Sequence, residues 1–137
     1  MIIDNHVHIA GPPHNDEMLD FPVYDGRTSL RVPDADIIIG HMGFPRYMDL
    51  LTVAQIPGVY VESSWCLTGI AELHGLEFTA KYLRMVGVDN VLFGSDWCGK
   101  QVGMEQQKQL DLIHRLDLNR EEKDKILGEN ISKLLCL

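Results

Sequence analysis

Three short apolar runs in this chain each end on side chains that can hold a metal ion or move a proton. Met1-Ile2-Ile3 leads into Asp4, Asn5, His6 and His8. Ile37-Ile38-Ile39 leads into Gly40 and His41, and Val91-Leu92-Phe93 leads into Gly94, Ser95 and Asp96. Neutral imidazoles and a carboxylate are donors that suit Zn²⁺, with Mn²⁺ or Fe²⁺ as the alternatives. A catalytic site of this kind needs about three protein ligands and an open position for water or substrate. His6, His8 and Asp96 supply three, so a divalent metal is the expected cofactor. His41 is then either a fourth ligand or a neighbouring general acid/base, a task that suits an imidazole near neutral pH. Asp96 has its own alternative as a catalytic base beside the ion. The metal would lower the pKa of bound water toward ~7 and polarise a substrate carbonyl or carboxylate. Taken singly, Asp96 reads better as a helix or turn cap and His41 as a satisfied core histidine. Their recurrence at three strand ends favours the site.

The elements that must position these residues emerge from local pattern. Residues 1–8 read as a strand on which His6 and His8 share one face, because side chains alternate with period two. Residues 10–35 are a loop region punctuated by Gly11-Pro12-Pro13, Pro22, Asp25-Gly26 and Pro33, with His14 read as a solvated loop residue ahead of the alternative that it reaches a nearby site. Residues 36–41, 59–63 and 90–95 are three further strands, and the unbroken β-branched run Ile37 to Ile39 predicts a fully buried one. Pro45 introduces a helix with Met48, Leu50, Leu51 and Val53 as its apolar positions. Residues 68–87 form the longest helix, opened by Thr68 as N-cap and stopped by Gly87. Its apolar surface includes Ile70, Leu73, Leu76, Phe78 and Leu83, and His74 on it reads as packing or surface. Further helices span about 104–116, 120–127 and 130–136, the second opened by a capping box of Asn119 and Glu122. His114 lies on the first of these, far from any strand end, and is structural. Ser63 and Ser64 either orient ligands or cap the segment after their strand. Strands alternating with helices imply a parallel α/β sheet, whose C-terminal edge is where such folds bind ligands.

Composition narrows the class. With 137 residues and 45% hydrophobic content, one domain over residues 1–137 with a real core is expected. A net charge of −8 and the lack of any basic run argue against a nucleic-acid partner. No apolar stretch approaches the roughly 20 residues needed to span a membrane, and the first residues show no basic, apolar and cleavage-site succession. Three widely spaced cysteines, Cys66, Cys98 and Cys136, suit reduced thiols and a cytoplasmic location.

The ordered stretches Ile3-Asp4-Asn5-His6-Val7-His8, Gly40-His41-Met42-Gly43, Val59-Tyr60-Val61-Glu62-Ser63-Ser64 and Val91-Leu92-Phe93-Gly94-Ser95-Asp96-Trp97 carry a family likeness. With the closing segment from Glu121 to Asn130, which contains Gly128-Glu129-Asn130, they cover residues 1–9 and 36–137. The chain resembles the amidohydrolase-related family of metal-dependent (β/α)8 barrels that includes aminocarboxymuconate semialdehyde decarboxylase. The resemblance implies His6 and His8 as metal ligands, Asp96 as ligand or catalytic carboxylate, and His41 as the acid/base residue. It also implies the first, sixth, seventh and eighth strands of such a barrel, with residues 10–35 in place of the second to fifth. The family's metal histidine on the fifth strand has no counterpart. A full barrel takes about 250 residues, so the expected architecture is a partial (half) TIM-type barrel of about four parallel strands flanked by helices.

In a closed barrel those four strands are neighbours, so what remains is one sheet with two open edges. A homodimer or higher homo-oligomer is the expected cover, or else residues 10–35 folding across the sheet. The function implied is a metal-dependent hydrolase or decarboxylase acting on a small carboxylate, lactone or amide. The alternative is a catalytically silent shortened homologue that binds a metal, a ligand or a partner.

Overall fold

The structure, a computed structural model, describes residues 36–96 and 103–137. The expected first strand, with His6 and His8, and the 10–35 loop lie outside the described residues. The described part is α/β, built on a parallel sheet of three strands in the order β1-β2-β3. These are β1 (Ile37–Ile39), β2 (Val59–Glu62) and β3 (Val91–Leu92). Ile37 pairs with Val59 and Ile39 with Val61, while Val61 pairs with Val91 and Glu62 with Leu92. β-Branched residues fill the strands, as a pleated surface favours.

One expectation about this sheet fails. β1 is not fully buried: Ile37 is 43% and Ile38 46% exposed. An unbroken apolar run reports that a strand is apolar on both faces; it cannot report whether both faces find cover. Among the described residues β1 has a neighbour on one side only. Val61, Val91, Leu92 and Phe93, by contrast, have no exposed surface.

The helices differ from the sequence reading in three places. After β1 the chain makes a 3-10 turn at Tyr47–Asp49 and then the single-turn helix α1 (Leu50–Val53). Of its expected apolar positions Leu50 is buried, whereas Met48 and Val53 are exposed. The long helix α2 (Cys66–Val86) starts ahead of Thr68, which caps nothing, and the N-cap position falls to Trp65 without a side-chain bond. It also breaks at Gly75, whose φ of 84° and ψ of 167° lie in a region only glycine enters readily. The change of direction explains why Leu73 is 70% exposed although the periodic pattern assigns it to the core. Gly87 does stop the helix, with φ 99°, and its N–H bonds to the Leu83 carbonyl. Finally, the two expected C-terminal helices are one: α4 (Arg120–Asp124) and α5 (Asn130–Leu134) are joined by a π-helical turn over Lys125–Glu129.

Ahead of this last helix lies α3 (Gly103–Arg115). The capping box of Asn119 and Glu122 forms as expected, with both reciprocal bonds present. The core joins Val61, Val91 and Phe93 of the sheet to Ile70, Leu83 and Val86 of α2, Ile113 of α3 and Ile126 of the last helix. Tyr82 is buried within it and donates its hydroxyl to the Tyr47 carbonyl at 2.6 Å. No helix among the described residues is long and apolar enough to cross a membrane.

Candidate functional site

Each described strand hands the chain over to a polar residue at its C-terminal end, and each handover uses the same unusual backbone. His41 follows β1 with φ 53°, Ser64 follows β2 with φ 20°, and Asp96 follows β3 with φ 56°. Left-handed backbone in a non-glycine residue costs about 1–3 kcal/mol and persists only where the surroundings enforce it. Met42 and Gly43 continue the left-handed run after His41, at φ 48° and 65°. The Gly40-His41-Met42-Gly43 stretch is therefore a tight turn that buries Met42 and holds His41 at the sheet edge.

The side chains converge. His41 Nδ1 lies 3.9 Å from Asp96 Oδ2 and 2.8 Å from Ser64 Oγ. The Ser64 hydroxyl donates to Glu62 Oε2 at 2.6 Å, and the Ser64 N–H donates to Glu62 Oε1. The His41 N–H also reaches Glu62 Oε2, at 3.3 Å. Glu62 and Ser64 are buried, the Asp96 side chain is 16% exposed, and the His41 side chain is 33% exposed. Only the imidazole thus offers substantial surface to a ligand. Trp65 and Phe44 stand beside it, their rings 5.2 Å apart and the Trp65 ring 6.1 Å from that of His41.

Ser63 serves the sheet instead. Its N–H donates to the Leu92 carbonyl and its hydroxyl accepts the Gly94 N–H at 3.4 Å, which ties the ends of β2 and β3 together. Cys66, the first residue of α2, is buried close by. Burial, then the negative charges of Glu62 and Asp96, push its thiol up to about 12. A thiol held protonated in this way is a poor nucleophile at neutral pH.

Of the four residues expected to make the site, the structure brings His41 and Asp96 together, and His6 and His8 lie outside the described residues. Among the described residues no three His, Cys, Asp or Glu side chains gather as a metal cage. The donors present, one carboxylate and one imidazole at a sheet edge, are nonetheless of the types a divalent transition metal takes. His74 and His114 lie on α2 and α3, away from these strand ends. His74 Nε2 meets the Tyr47 hydroxyl at 2.5 Å, and the His114 carbonyl accepts from Lys123.

Sequence reasoning missed Glu62. Its position was visible, as an ionisable residue directly after Val59-Tyr60-Val61, and a carboxylate at the end of a buried strand is itself a signal. Trp65 and Phe44 gave no comparable cue, since their approach to His41 depends on how two separate turns fold.

Comparison with known proteins identifies the chain's relatives. Residues 4–137 match the family described as Amidohydrolase. No curated protein matches. A solved structure, that of 2,6-dihydroxybenzoate decarboxylase complexed with 2,6-dihydroxybenzoate, is similar with 17% sequence identity and a TM-score of 0.46. That likeness covers 74% of this chain and 34% of the decarboxylase chain, so the present chain spans about a third of the length of the structure it matches.

Proposed function

The chain belongs to the amidohydrolase family, and from that premise we propose that it is a metal-dependent hydrolase or decarboxylase acting on a small carboxylate, lactone or amide. The observation that supports this best is the approach of His41 to Asp96, 3.9 Å apart although they leave different strands. In this reading His6, His8 and Asp96 hold the metal, Zn²⁺ with Mn²⁺ or Fe²⁺ as alternatives. When bound, the ion supplies Lewis acidity and an acidified water. His41 moves the proton, and its partial exposure lets substrate approach the ring. Trp65 and Phe44 offer an apolar wall beside it, which suits a flat, unsaturated substrate.

The same reading takes the sheet as part of a half barrel whose first strand, residues 1–8, borders β3. The exposed Ile37 and Ile38 along β1 support closure by a second copy, in a dimer or larger assembly. A monomer by sedimentation at micromolar concentration would refute that closure. The odd, separated cysteines suit a cytoplasmic home.

Elemental analysis tests the metal site directly. About one transition metal per chain is expected in the wild type, lost in the His6→Ala/His8→Ala double variant. Turnover of small carboxylates, lactones or amides should then depend on added metal and vanish in Asp96→Ala and His41→Ala. A second reading, a catalytically silent homologue that binds a metal, a ligand or a partner, is favoured by the missing counterpart of the fifth-strand histidine. It predicts binding without turnover. No metal uptake after incubation with Zn²⁺ and Mn²⁺ would sink the enzyme.

A further inference from the structure

We propose that Glu62 and Ser64 are positioning residues that fix the tautomer of His41, holding its proton on Nδ1 and leaving Nε2 as the working nitrogen. The argument is a count of protons along one hydrogen-bonded chain. Among the described residues the carboxylate of Glu62 receives the His41 N–H, the Ser64 N–H and the Ser64 hydroxyl. An ionised carboxylate only accepts, so all three bonds are compatible with it. Ser64 has a single hydroxyl proton, and at 2.6 Å from Glu62 Oε2 that proton is committed to the carboxylate. The remaining contact of Ser64 Oγ, 2.8 Å from His41 Nδ1, can then be satisfied only if the imidazole donates. Asp96 Oδ2 lies 3.9 Å from the same nitrogen, too far to compete for its proton.

The backbone supports the same assignment. Ser64 is held at φ 20° at the end of β2, fully buried, and Glu62 is buried beside it. A strained serine between a buried carboxylate and a half-exposed imidazole has a packing cost that ordinary surface chemistry would not sustain. What the strain secures is orientation, because the His41 backbone is anchored through its N–H to Glu62 and its ring through Nδ1 to Ser64. A ring fixed in this way keeps Nε2 in one orientation, whereas a freely rotating one would not. Neither Glu62 nor Ser64 needs to touch a substrate; they act through His41.

The test reads the proton's location without requiring turnover. In protein carrying ¹⁵N-labelled histidine, at alkaline pH where the rings are neutral, His41 is assigned by loss of its signals in His41→Asn. Nearly all of the wild-type ring is expected as the Nδ1–H tautomer. In Ser64→Ala the Nε2–H form that free histidine prefers should become the major one. Wild-type His41 found mainly as Nε2–H would overturn the proposal, and that measurement needs no variant to fold. An unchanged tautomer in a folded Ser64→Ala would overturn it as well. The activity arm rests on the reading of His41 as acid/base. There, Ser64→Ala should lower kcat roughly tenfold with KM nearly unchanged, a modest share of what a whole acid/base residue contributes. A uniform loss in both parameters would indicate general disorder and count against positioning. Absence of any turnover, with the expected tautomers, would overturn the enzyme reading and leave the relay intact.

Discussion

The two ends of the sheet are built on opposite terms. At the N-terminal end of β3, satisfied hydrogen bonds and relaxed backbone prevail. Asn130, buried on the last helix, donates both amide hydrogens, to the carbonyls of Val88 and Val91 at 2.8 Å each. At the C-terminal end, His41, Ser64 and Asp96 sit in left-handed backbone, and a buried carboxylate gathers three donors among the described residues. One end is arranged to hold the strand and the other to aim a side chain. The contrast separates, along a few residues of the same strands, a satisfied clamp from a strained polar edge.

The largest effect that would test this contrast is on activity. His41→Asn keeps a residue tolerant of left-handed backbone, so its melting temperature should stay within about 2 °C of wild type. Its kcat should fall by about 10²–10⁴-fold, the usual contribution of a positioned acid/base. A large loss of stability with little loss of rate would collapse the distinction between the two ends. Next comes Asn130→Ala, which strands two carbonyls and should cost about 2–4 kcal/mol. The melting temperature should drop by roughly 10 °C, with kcat per folded molecule unchanged. Any selective effect on kcat would mean the clamp reaches the other end of the strand.

A smaller change, of about 1 kcal/mol, is expected from Asn119→Ala, which removes one half of the capping box on the same stability-building helix. Denaturant melts should show it, and activity should not. The smallest effect concerns pH. Cys66 ionises near 9 in the unfolded chain, while in the folded chain its thiol is pushed up to about 12. Above pH 9 the unfolded state therefore binds fewer protons than the folded one, and stability falls as pH rises through that window. Below pH 9 Cys66 contributes no pH dependence. Tyr82, also raised by burial and by Tyr47, acts in the same direction from its ordinary value of 10 upward. Cys66→Ala should flatten the slope chiefly between pH 9 and 10, as denaturation curves at several pH values would reveal. An unaltered slope would mean that the thiol is not sealed beneath the site.

The sequence by itself determined the strand–helix alternation, the parallel sheet and the residue types at the strand ends. Ile-Ile-Ile-Gly-His and Val-Leu-Phe-Gly-Ser-Asp are local messages: an apolar run sets the strand, and a glycine with a polar residue sets the exit. Asn119 and Glu122 are equally local, since a capping box closes within four residues, and that box formed as expected. Other features depend on partners far along the chain. The exposure of Ile37 and Ile38 follows from what lies beside β1, which no periodicity records. The break at Gly75 is equally invisible to periodicity, since core residues lie on both sides of it, Leu67 and Ile70 before and Leu83 and Val86 after. The buried link from Glu62 through Ser64 to His41 joins two strands, and its residues are 21 and 23 positions apart from the histidine they orient. Hydrogen bonds of that span exist only once the sheet has set its register. Residue type could therefore announce the chemistry, while only the packed sheet could say which nitrogen of His41 would carry the proton.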